Sequence, residues 1–243
     1  MQEAGNEFLL AKGQSFALLF EQESARQLLA HGVHTLRSTT YFSPVQDAVF
    51  TTLSIGVEKF LKIAIGLLRI AEGKPWPTKS VMRNDYGHGI VEMFPLVWEP
   101  LEKWADESGK DYVLGLLHGV STDATLAGLF SALDAYGRSG RFYHLDTLAA
   151  APQQIVRPED TWSEAENKLV EADPELREMR ARGHSGSPED FELFLRALRA
   201  RLADSIVDWW FALTRAGENG GLGSVGKQFG SGASPSLAIP PAR

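Results

Sequence analysis

One long helical pattern constrains this fold more than any other feature of the sequence. Between residues 48 and 72, apolar side chains recur at the spacing of an α-helix: Leu53, Val57, Phe60, Leu61, Ala64, Ile65 and Leu68. Ser43 can cap this helix, Pro44 suits its first turn, and Gly73 can end it. A helix with so wide an apolar stripe needs other apolar elements around it, which the rest of the chain must supply.

The remaining sequence favours further helices over a sheet. It contains no sustained period-two alternation and no hairpin dipeptide between β-rich runs. We predict that Pro95 and Pro100 kink or interrupt the helix of residues 90–105. The sequence therefore predicts an all-α fold of about seven or eight helices. Helical spacing or a strong helix start occurs at residues 6–20, 21–37, 90–105, 112–120 and 123–136, and at Pro158, Pro174 and Pro188.

Composition limits the kinds of site that the chain can form. Of its 243 residues, 44% are hydrophobic and 23% are charged, which is typical of soluble globular proteins. The chain has no cysteine, which excludes disulfides, thiolate metal sites and a cysteine nucleophile and fits a reducing compartment. The first residues lack the basic region of a signal peptide, and no apolar run is long enough to span a membrane. We therefore expect a cytoplasmic protein with no membrane partner.

A basic segment stands out in this acidic chain. The formal net charge is −7, which argues against a protein that coats nucleic acid without specificity. Between residues 58 and 83, however, cations outnumber the two glutamates, Glu58 and Glu72. An anion would bind in this segment, or else these charges lie on solvated helix faces. The cations are Lys59, Lys62, Arg69, Lys74, Lys79 and Arg83.

The basic segment leads into a polar, glycine-rich stretch that resembles part of a known family. The chain here reads Arg83-Asn84-Asp85-Tyr86-Gly87-His88-Gly89-Ile90. The layout of this region resembles that of the HEPN superfamily of small helical domains. It consists of Glu58-Lys59-x-x-Lys62 on the preceding helix, a glycine-closed loop, and His88 at the start of the next helix. The form Arg83-Asn84-x-x-x-His88 is similar to the catalytic signature of HEPN ribonucleases. The resemblance covers roughly residues 45–145 and implies a bundle of about four or five helices.

That resemblance also implies an activity, which is cleavage of RNA through its 2′-hydroxyl without a metal or another cofactor. His88 would be the general acid/base, Arg83 would hold the phosphate, and Asn84 would orient the pair. Histidine suits this role because it can take and return a proton near neutral pH. Sites of this family usually form at a dimer cleft. The predicted substrate-binding residues of the basic segment are Lys59, Lys62 and Lys79.

The sequence departs from the ribonuclease pattern around the histidine. Gly87 and Gly89 flank His88, and glycine weakens a helix by about 1 kcal/mol relative to alanine, so a loop is as compatible with the sequence as a helix. Ile90 stands where the family usually has a tyrosine. The alternative to catalysis is that His88 caps or hydrogen-bonds the start of the next helix while Arg83 is an ordinary surface charge.

A second segment, residues 135–146, has a composition suited to an anion or a planar ligand. Arginines and aromatic residues crowd around two glycines just after a helix end. HEPN-like chains can carry a similar arginine–aromatic element. The alternative is an aromatic turn that packs the core against the C-terminal half. The candidate substrate-binding residues here are Arg138, Arg141, Tyr143 and His144.

The last third of the chain predicts helices that pack on this core and then a tail. The helices that start at Pro158 and Pro174 are highly charged, so we expect them on the surface. Glycine, serine and proline dominate residues 218–243, which predicts a disordered tail. The predicted organisation is a HEPN-like core at residues 1–150, additional C-terminal helices at 151–217, and the tail. A homodimer is expected from the aromatic surplus of the last long helix, Phe191, Phe194, Trp209, Trp210 and Phe211.

Three function classes are therefore compatible with the sequence. The first is a metal-independent endoribonuclease of the kind used in defence or as the toxin of a toxin–antitoxin pair. The second is a non-catalytic HEPN-like module that binds a nucleotide, RNA or a partner protein. The third is a purely structural helical protein. The first requires Arg83 and His88 to face one open, basic cleft, and the third would bury or cap them.

Overall fold

The computed structural model describes residues 10–238, and most of this part of the chain is helical. Helices account for 83% of the structure, and no strand occurs among the described residues. The predicted all-α fold is confirmed. The finer expectation of a HEPN-like bundle stays a prediction.

Eleven α-helices follow one another along the described residues. A π-helical turn at Met82–Tyr86 separates the third helix from the fourth. Short 3₁₀ turns lie at Ser43–Val45, Gly140–Phe142 and Pro235–Leu237. The helices are α1 Lys12–Ser38, α2 Gln46–Ala71, α3 Lys79–Val81, α4 Ile90–Glu107, α5 Asp111–Ser121, α6 Ala124–Arg138, α7 Tyr143–Leu148, α8 Pro158–Ala172, α9 Pro174–Ser185, α10 Pro188–Glu218 and α11 Gly223–Ala233.

Local sequence signals predict many of these helix ends correctly. Asp123 caps α6, because its carboxylate accepts hydrogen bonds from two backbone N–H groups of the first turn at 2.8 and 3.1 Å. Proline is the first residue of α8, α9 and α10, as expected. Hydrogen bonds from the Ser187 backbone and hydroxyl cap the start of α10 and hold the pKa of Asp190 below its usual value. Gly73, at φ 74°, ends α2 in a Schellman motif.

Two local predictions are wrong, and a third is wrong in part. The helices expected at residues 6–20 and 21–37 are one helix, α1, over the residues that the structure describes, because no breaker separates them; residues 6–9 lie outside the described residues. Ser43 does not cap α2, since it lies inside the 3₁₀ turn that leads into that helix. Pro95 and Pro100 do not interrupt α4, which continues through both, and the kink expected as the alternative stays a prediction.

The described chain divides into two compact units, each built from separate segments. Unit 1 contains residues 10–30, 55–122 and 208–238, and unit 2 contains residues 31–54 and 123–207. Helices α1, α2 and α10 therefore contribute residues to both units. The predicted boundary near residue 150 falls inside unit 2.

Aromatic side chains form the centre of unit 1. The ring of Phe60 on α2 lies 6.4 Å from Trp209 and 5.9 Å from Trp210 of α10, and 5.4 Å from Phe229 of α11, measured between ring centroids. All four side chains are fully buried. Trp210 also donates its indole N–H to the carbonyl oxygen of Ala233 at 2.6 Å. These contacts bring the C-terminal segment into the core.

The prediction of a disordered tail is therefore wrong for residues 218–238. Its composition is poor in apolar residues, but Phe229 and Ala233 of α11 are buried, and so is Leu222, which directly precedes that helix. Small residues such as Gly230 let α11 approach α10 closely, since a Cβ at Gly230 would meet the backbone of Thr214 and Glu218. Residues 239–243 of the predicted tail lie outside the described residues.

A second aromatic cluster forms the centre of unit 2. Phe50 of α2 contacts Phe42, Trp162 and Tyr136 at centroid distances between 5.2 and 5.9 Å. Helix α8, expected on the surface, instead buries Trp162 at 1% exposure. The sequence pattern underestimated this helix because a single buried tryptophan carries more apolar area than the charged residues around it suggest.

The long helix α10 needs no second subunit to cover its aromatic residues. Phe194, Trp209 and Trp210 are buried within the single chain, and Phe191 and Phe211 are half-buried. The surplus of exposed aromatic area that motivated the predicted homodimer is therefore absent from α10. The homodimer itself stays a prediction.

Candidate functional site

Helix α2 presents Glu58 and Lys62 one turn apart, on the side away from the Phe60 cluster. Lys62 Nζ lies 2.7 Å from Glu58 Oε1, which is the favourable order for an i,i+4 ion pair. Their side chains are only 15% and 21% exposed. Packing of neighbouring Phe60 and Leu61 in the core fixes this part of α2, so both charged groups are held in position.

The loop between the π-helical turn and α4 depends on glycine. Gly87 adopts φ 51° and ψ −123°, a conformation that side chains with a Cβ rarely adopt. Gly89 is the residue before the first turn of α4, and its N–H donates to the carbonyl oxygen of Tyr86 at 2.9 Å. The two glycines that depart from a regular helix therefore form a tight loop, and His88 lies between them.

This loop places the imidazole of His88 against α2. His88 Nδ1 lies 2.8 Å from Glu58 Oε2, so the two oxygens of Glu58 contact His88 and Lys62 respectively. Lys62 Nζ also donates to the carbonyl oxygen of Gly87 at 2.5 Å. We call these four residues, Glu58, Lys62, Gly87 and His88, the histidine cluster.

The histidine cluster leaves part of His88 accessible. Its side chain is 50% exposed, whereas Glu58 behind it is 15% exposed. A carboxylate can only accept a hydrogen bond, so its contact assigns the proton to Nδ1 and leaves Nε2 as the second ring nitrogen. The His88 side chain does not cap α4, since the residue that precedes that helix is Gly89 and no side chain caps it. The His88 carbonyl oxygen does accept a hydrogen bond from the N–H of Ile90, the first residue of α4, at 3.0 Å.

Arg83 and Asn84 lie on the π-helical turn and are exposed. Arg83 Nε donates to Asn84 Oδ1 at 3.2 Å, and Asn84 Nδ2 donates to Ser80 Oγ at 3.1 Å. Of the predicted catalytic residues, the structure thus pairs Arg83 with Asn84, and it pairs His88 with Glu58. Both pairs belong to unit 1.

Several cations of the basic segment are already engaged. Lys59 Nζ lies 3.0 Å from Glu21 Oε1 and 3.0 Å from Ser24 Oγ, both on α1. Lys74 pairs with Glu72 at 2.6 Å. Lys79 is exposed in the short helix α3. The basic character of the segment is therefore partly neutralised by neighbouring carboxylates, and Arg83 and Lys79 are its more accessible cations.

The second predicted segment belongs to unit 2, whereas the histidine cluster belongs to unit 1. Arg138 pairs with Asp134 at 2.8 Å, one turn earlier on α6. The Arg141 guanidinium lies 5.1 Å from the ring centroid of Phe142. The rings of Tyr143 and His144 meet edge to face, with centroids 5.5 Å apart. These side chains contact residues close to them in the sequence.

Glu58 is the site residue that sequence reasoning missed. The resemblance to the HEPN superfamily includes both Glu58 and Lys62, but the sequence predicts a functional role only for Lys62, as a cation that binds the substrate. The i,i+4 spacing shows that the two residues share a helix face. The sequence does not reveal that His88, thirty positions later, turns its imidazole towards that face.

Metal and membrane features are scarce among residues 10–238. No group of three or more His, Asp or Glu side chains there is arranged to hold a metal ion. In the same residues no single helix is long and apolar enough to cross a membrane. Helices α5 and α6 have the length and apolar composition of a membrane span only when taken together, and the pair is bent by 62°.

Comparison with known proteins adds no relative. No family model, no curated protein and no solved structure matches this chain significantly.

Proposed function

We propose that this chain is a HEPN-like ribonuclease that cleaves RNA without a metal, with His88 as the proton shuttle. The observation that supports it is the contact between His88 Nδ1 and Glu58 Oε2 at 2.8 Å on a histidine that is half exposed. A carboxylate that holds one ring nitrogen fixes the tautomer and orientation of the imidazole. The other nitrogen can then exchange a proton with a substrate.

The proposed reaction needs one proton acceptor and one proton donor. Nε2 of His88 takes the proton of the RNA 2′-hydroxyl, whose oxygen attacks the adjacent phosphorus. The bond from phosphorus to the 5′-oxygen breaks, and that leaving oxygen receives the proton that His88 Nε2 took, which returns the imidazole to its starting form. The products are a 2′,3′-cyclic phosphate and a free 5′-hydroxyl. General acid/base catalysis of this kind contributes a factor of about 10²–10⁴ in rate.

Arg83 is the proposed phosphate ligand. Its planar guanidinium can donate two parallel hydrogen bonds to phosphate oxygens, and it lies exposed on the π-helical turn that precedes the His88 loop. The hydrogen bond from Arg83 Nε to Asn84 Oδ1 limits the directions that the guanidinium can take. Asn84 is therefore proposed to orient Arg83.

A binding module without catalysis is the second candidate. The observation that favours it is the engagement of Lys59 and Lys62 by Glu21 and Glu58, which removes two cations from the surface available to RNA. Such a module would keep Arg83 and Lys79 for a nucleotide, a short RNA or an acidic partner. A purely structural protein is disfavoured by the exposure of His88 and Arg83.

The purified protein in EDTA, incubated with mixed RNA substrates, tests the ribonuclease. We expect cleavage that leaves cyclic phosphate ends and that falls at least about 100-fold in His88→Ala. Arg83→Ala should also lose activity. His34→Ala, which removes an exposed histidine of α1, is the matched control and should cleave like the wild type. Circular dichroism checks that each variant is folded.

Two outcomes would decide against the proposal. Wild-type protein that binds RNA but cleaves none of it would favour the binding module. Full activity in His88→Ala would exclude His88 as the proton shuttle. The defence or toxin role has its own test, because expression of the wild type should slow bacterial growth and expression of His88→Ala should not.

A further inference from the structure

Lys62 makes contacts that a phosphate-binding lysine would not need. Its ammonium lies 2.7 Å from Glu58 Oε1 and 2.5 Å from the carbonyl oxygen of Gly87, and its side chain is 21% exposed. The pair Glu164–Lys168 has the same i,i+4 spacing on α8 and a similar distance of 2.8 Å. There the lysine is 61% exposed. The spacing alone therefore does not account for the enclosed position of Lys62.

We infer that Lys62 is a positioning residue that fixes both parts of the histidine cluster. One contact of its ammonium holds the carboxylate of Glu58, which in turn holds His88. The other contact holds the carbonyl oxygen of Gly87. This inference rests on the proposed function for its catalytic consequence, and it replaces the predicted role of Lys62 in binding RNA.

The contact with Gly87 matters because of where that carbonyl lies. The carbonyl group of Gly87 belongs to the same planar peptide unit as the N–H of His88. Glycine at φ 51° has no side chain to restrict the rotation of that plane. The hydrogen bond from Lys62 to the Gly87 carbonyl oxygen therefore adds a restraint on the peptide unit from which the His88 side chain projects.

The two roles predict different kinetic defects. A lysine that binds a phosphate contributes to RNA affinity, so its loss raises KM and lowers the slope of log affinity against log salt by about 1. A positioning lysine leaves the affinity for RNA almost unchanged, and its loss lowers kcat. Misplacement of a catalytic group by about 1 Å can reduce a rate about 100-fold. We expect Lys62→Met to lower kcat by about 10- to 100-fold with KM changed by less than about twofold.

Two control variants make this comparison specific. Lys79→Met removes an exposed lysine of the same basic segment, and its effect should appear in KM and the salt slope instead of in kcat. Lys168→Met removes the lysine of the matched exposed ion pair and should change neither quantity. Thermal unfolding shows whether each variant is folded at the assay temperature.

The absence of cysteine from the sequence allows a chemical rescue. In Lys62→Cys the new thiol is the only one in the chain, so 2-bromoethylamine converts it specifically into a lysine analogue with an ammonium group. A positioning role predicts that kcat falls in Lys62→Cys and recovers at least about fivefold after alkylation, because the ammonium returns to Glu58 and Gly87.

A measurement on the imidazole tests the inference without any RNA. With ¹³C at Cε1 of the histidines, relaxation gives the order parameter of the His88 ring, which should fall in Lys62→Met and stay at the wild-type value in Lys168→Met. An unchanged order parameter in folded Lys62→Met would overturn the inference, and so would a defect confined to KM. If the wild type cleaves no RNA, the proposed function fails, and the order parameter still decides whether Lys62 positions His88.

Discussion

Residues 83–90, which carry His88 of the histidine cluster, and the arginine–aromatic segment, residues 135–146, look alike in the sequence and differ in where their side chains find partners. Each segment combines arginine, a histidine and two glycines next to a helix end. In the histidine cluster, His88 contacts a residue thirty positions earlier, on another helix. In the arginine–aromatic segment, Arg141 contacts the adjacent Phe142, and Tyr143 contacts the adjacent His144.

This difference separates two kinds of functional candidate. A side chain held by a residue of another helix keeps one orientation, which general acid/base catalysis requires. Contacts between adjacent residues restrict a side chain much less, although mobile arginine and aromatic groups still suit the binding of an anion or a base. We therefore assign the proposed chemistry to His88, and Arg141 and His144 remain predicted binding residues.

The largest expected effect is the loss of cleavage in His88→Ala, at least about 100-fold in kcat/KM. The paired variant His144→Ala removes the histidine whose ring meets that of the adjacent Tyr143, and we expect it to change the same quantity by less than about tenfold. RNA cleavage in EDTA by both variants measures the contrast. A larger loss in His144→Ala would reverse the assignment of the two segments.

The C-terminal segment also contains one side chain held by a distant residue and one that is exposed, and substitution of each compares their contributions to stability. Phe229 is 1% exposed and contacts Phe60, whereas Leu237 of the same segment is 61% exposed. We expect Phe229→Ala to lower the free energy of unfolding by about 3–5 kcal/mol and Leu237→Ala by less than about 0.5 kcal/mol. Urea denaturation measures both. Equal, small effects would show that α11 does not contribute to the core.

Glu58→Ala should have an intermediate effect on stability. It leaves the ammonium of Lys62, 21% exposed, with one partner fewer, which costs about 1–3 kcal/mol in unfolding free energy. Arg141→Ala removes an exposed cation that contacts one ring, and it should cost no more than about 1 kcal/mol. Urea denaturation of both variants gives the comparison, and a cost for Arg141→Ala above that of Glu58→Ala would contradict it.

The sequence correctly predicts several features of the fold that depend on residues close together in the chain. The proline starts of α8 to α10 and the glycine end of α2 each depend on a few adjacent residues, and each is found. The all-α class follows from helical periodicity, which extends over most of the chain.

Long-range partners explain the errors. Residues 218–238 look too polar to fold, and they are helical because Phe229 meets Phe60 and Trp210 donates to Ala233. Helix α8 looks like a surface helix, yet Trp162 joins the cluster around Phe50. For the candidate site, the sequence identifies His88 and Lys62, but it omits Glu58 because no local pattern links a glutamate on α2 to a histidine beyond the next loop.

The last comparison concerns two residues with positive φ, one near each segment. Gly87 has φ 51°, and Ala150, just after α7, has φ 58°. A Cβ at Gly87 would meet one backbone oxygen, at 3.6 Å, so Gly87→Ala should cost mainly the strain of its backbone conformation, about 1–3 kcal/mol. Ala150→Gly relieves such strain and adds entropy to the unfolded chain, so its net change should be a stabilisation of at most about 1 kcal/mol.

We also expect these two variants to differ in their effect on RNA cleavage, because only Gly87 adjoins the proposed catalytic histidine. Gly87→Ala shifts the peptide unit that carries His88 and should lower kcat about tenfold or more, while Ala150→Gly should leave kcat unchanged. Urea denaturation and the cleavage assay measure both quantities for each variant. If Gly87→Ala is less stable than the wild type but cleaves RNA at the wild-type rate, then the loop does not control the position of His88, and the fixed contact with Glu58 is enough by itself.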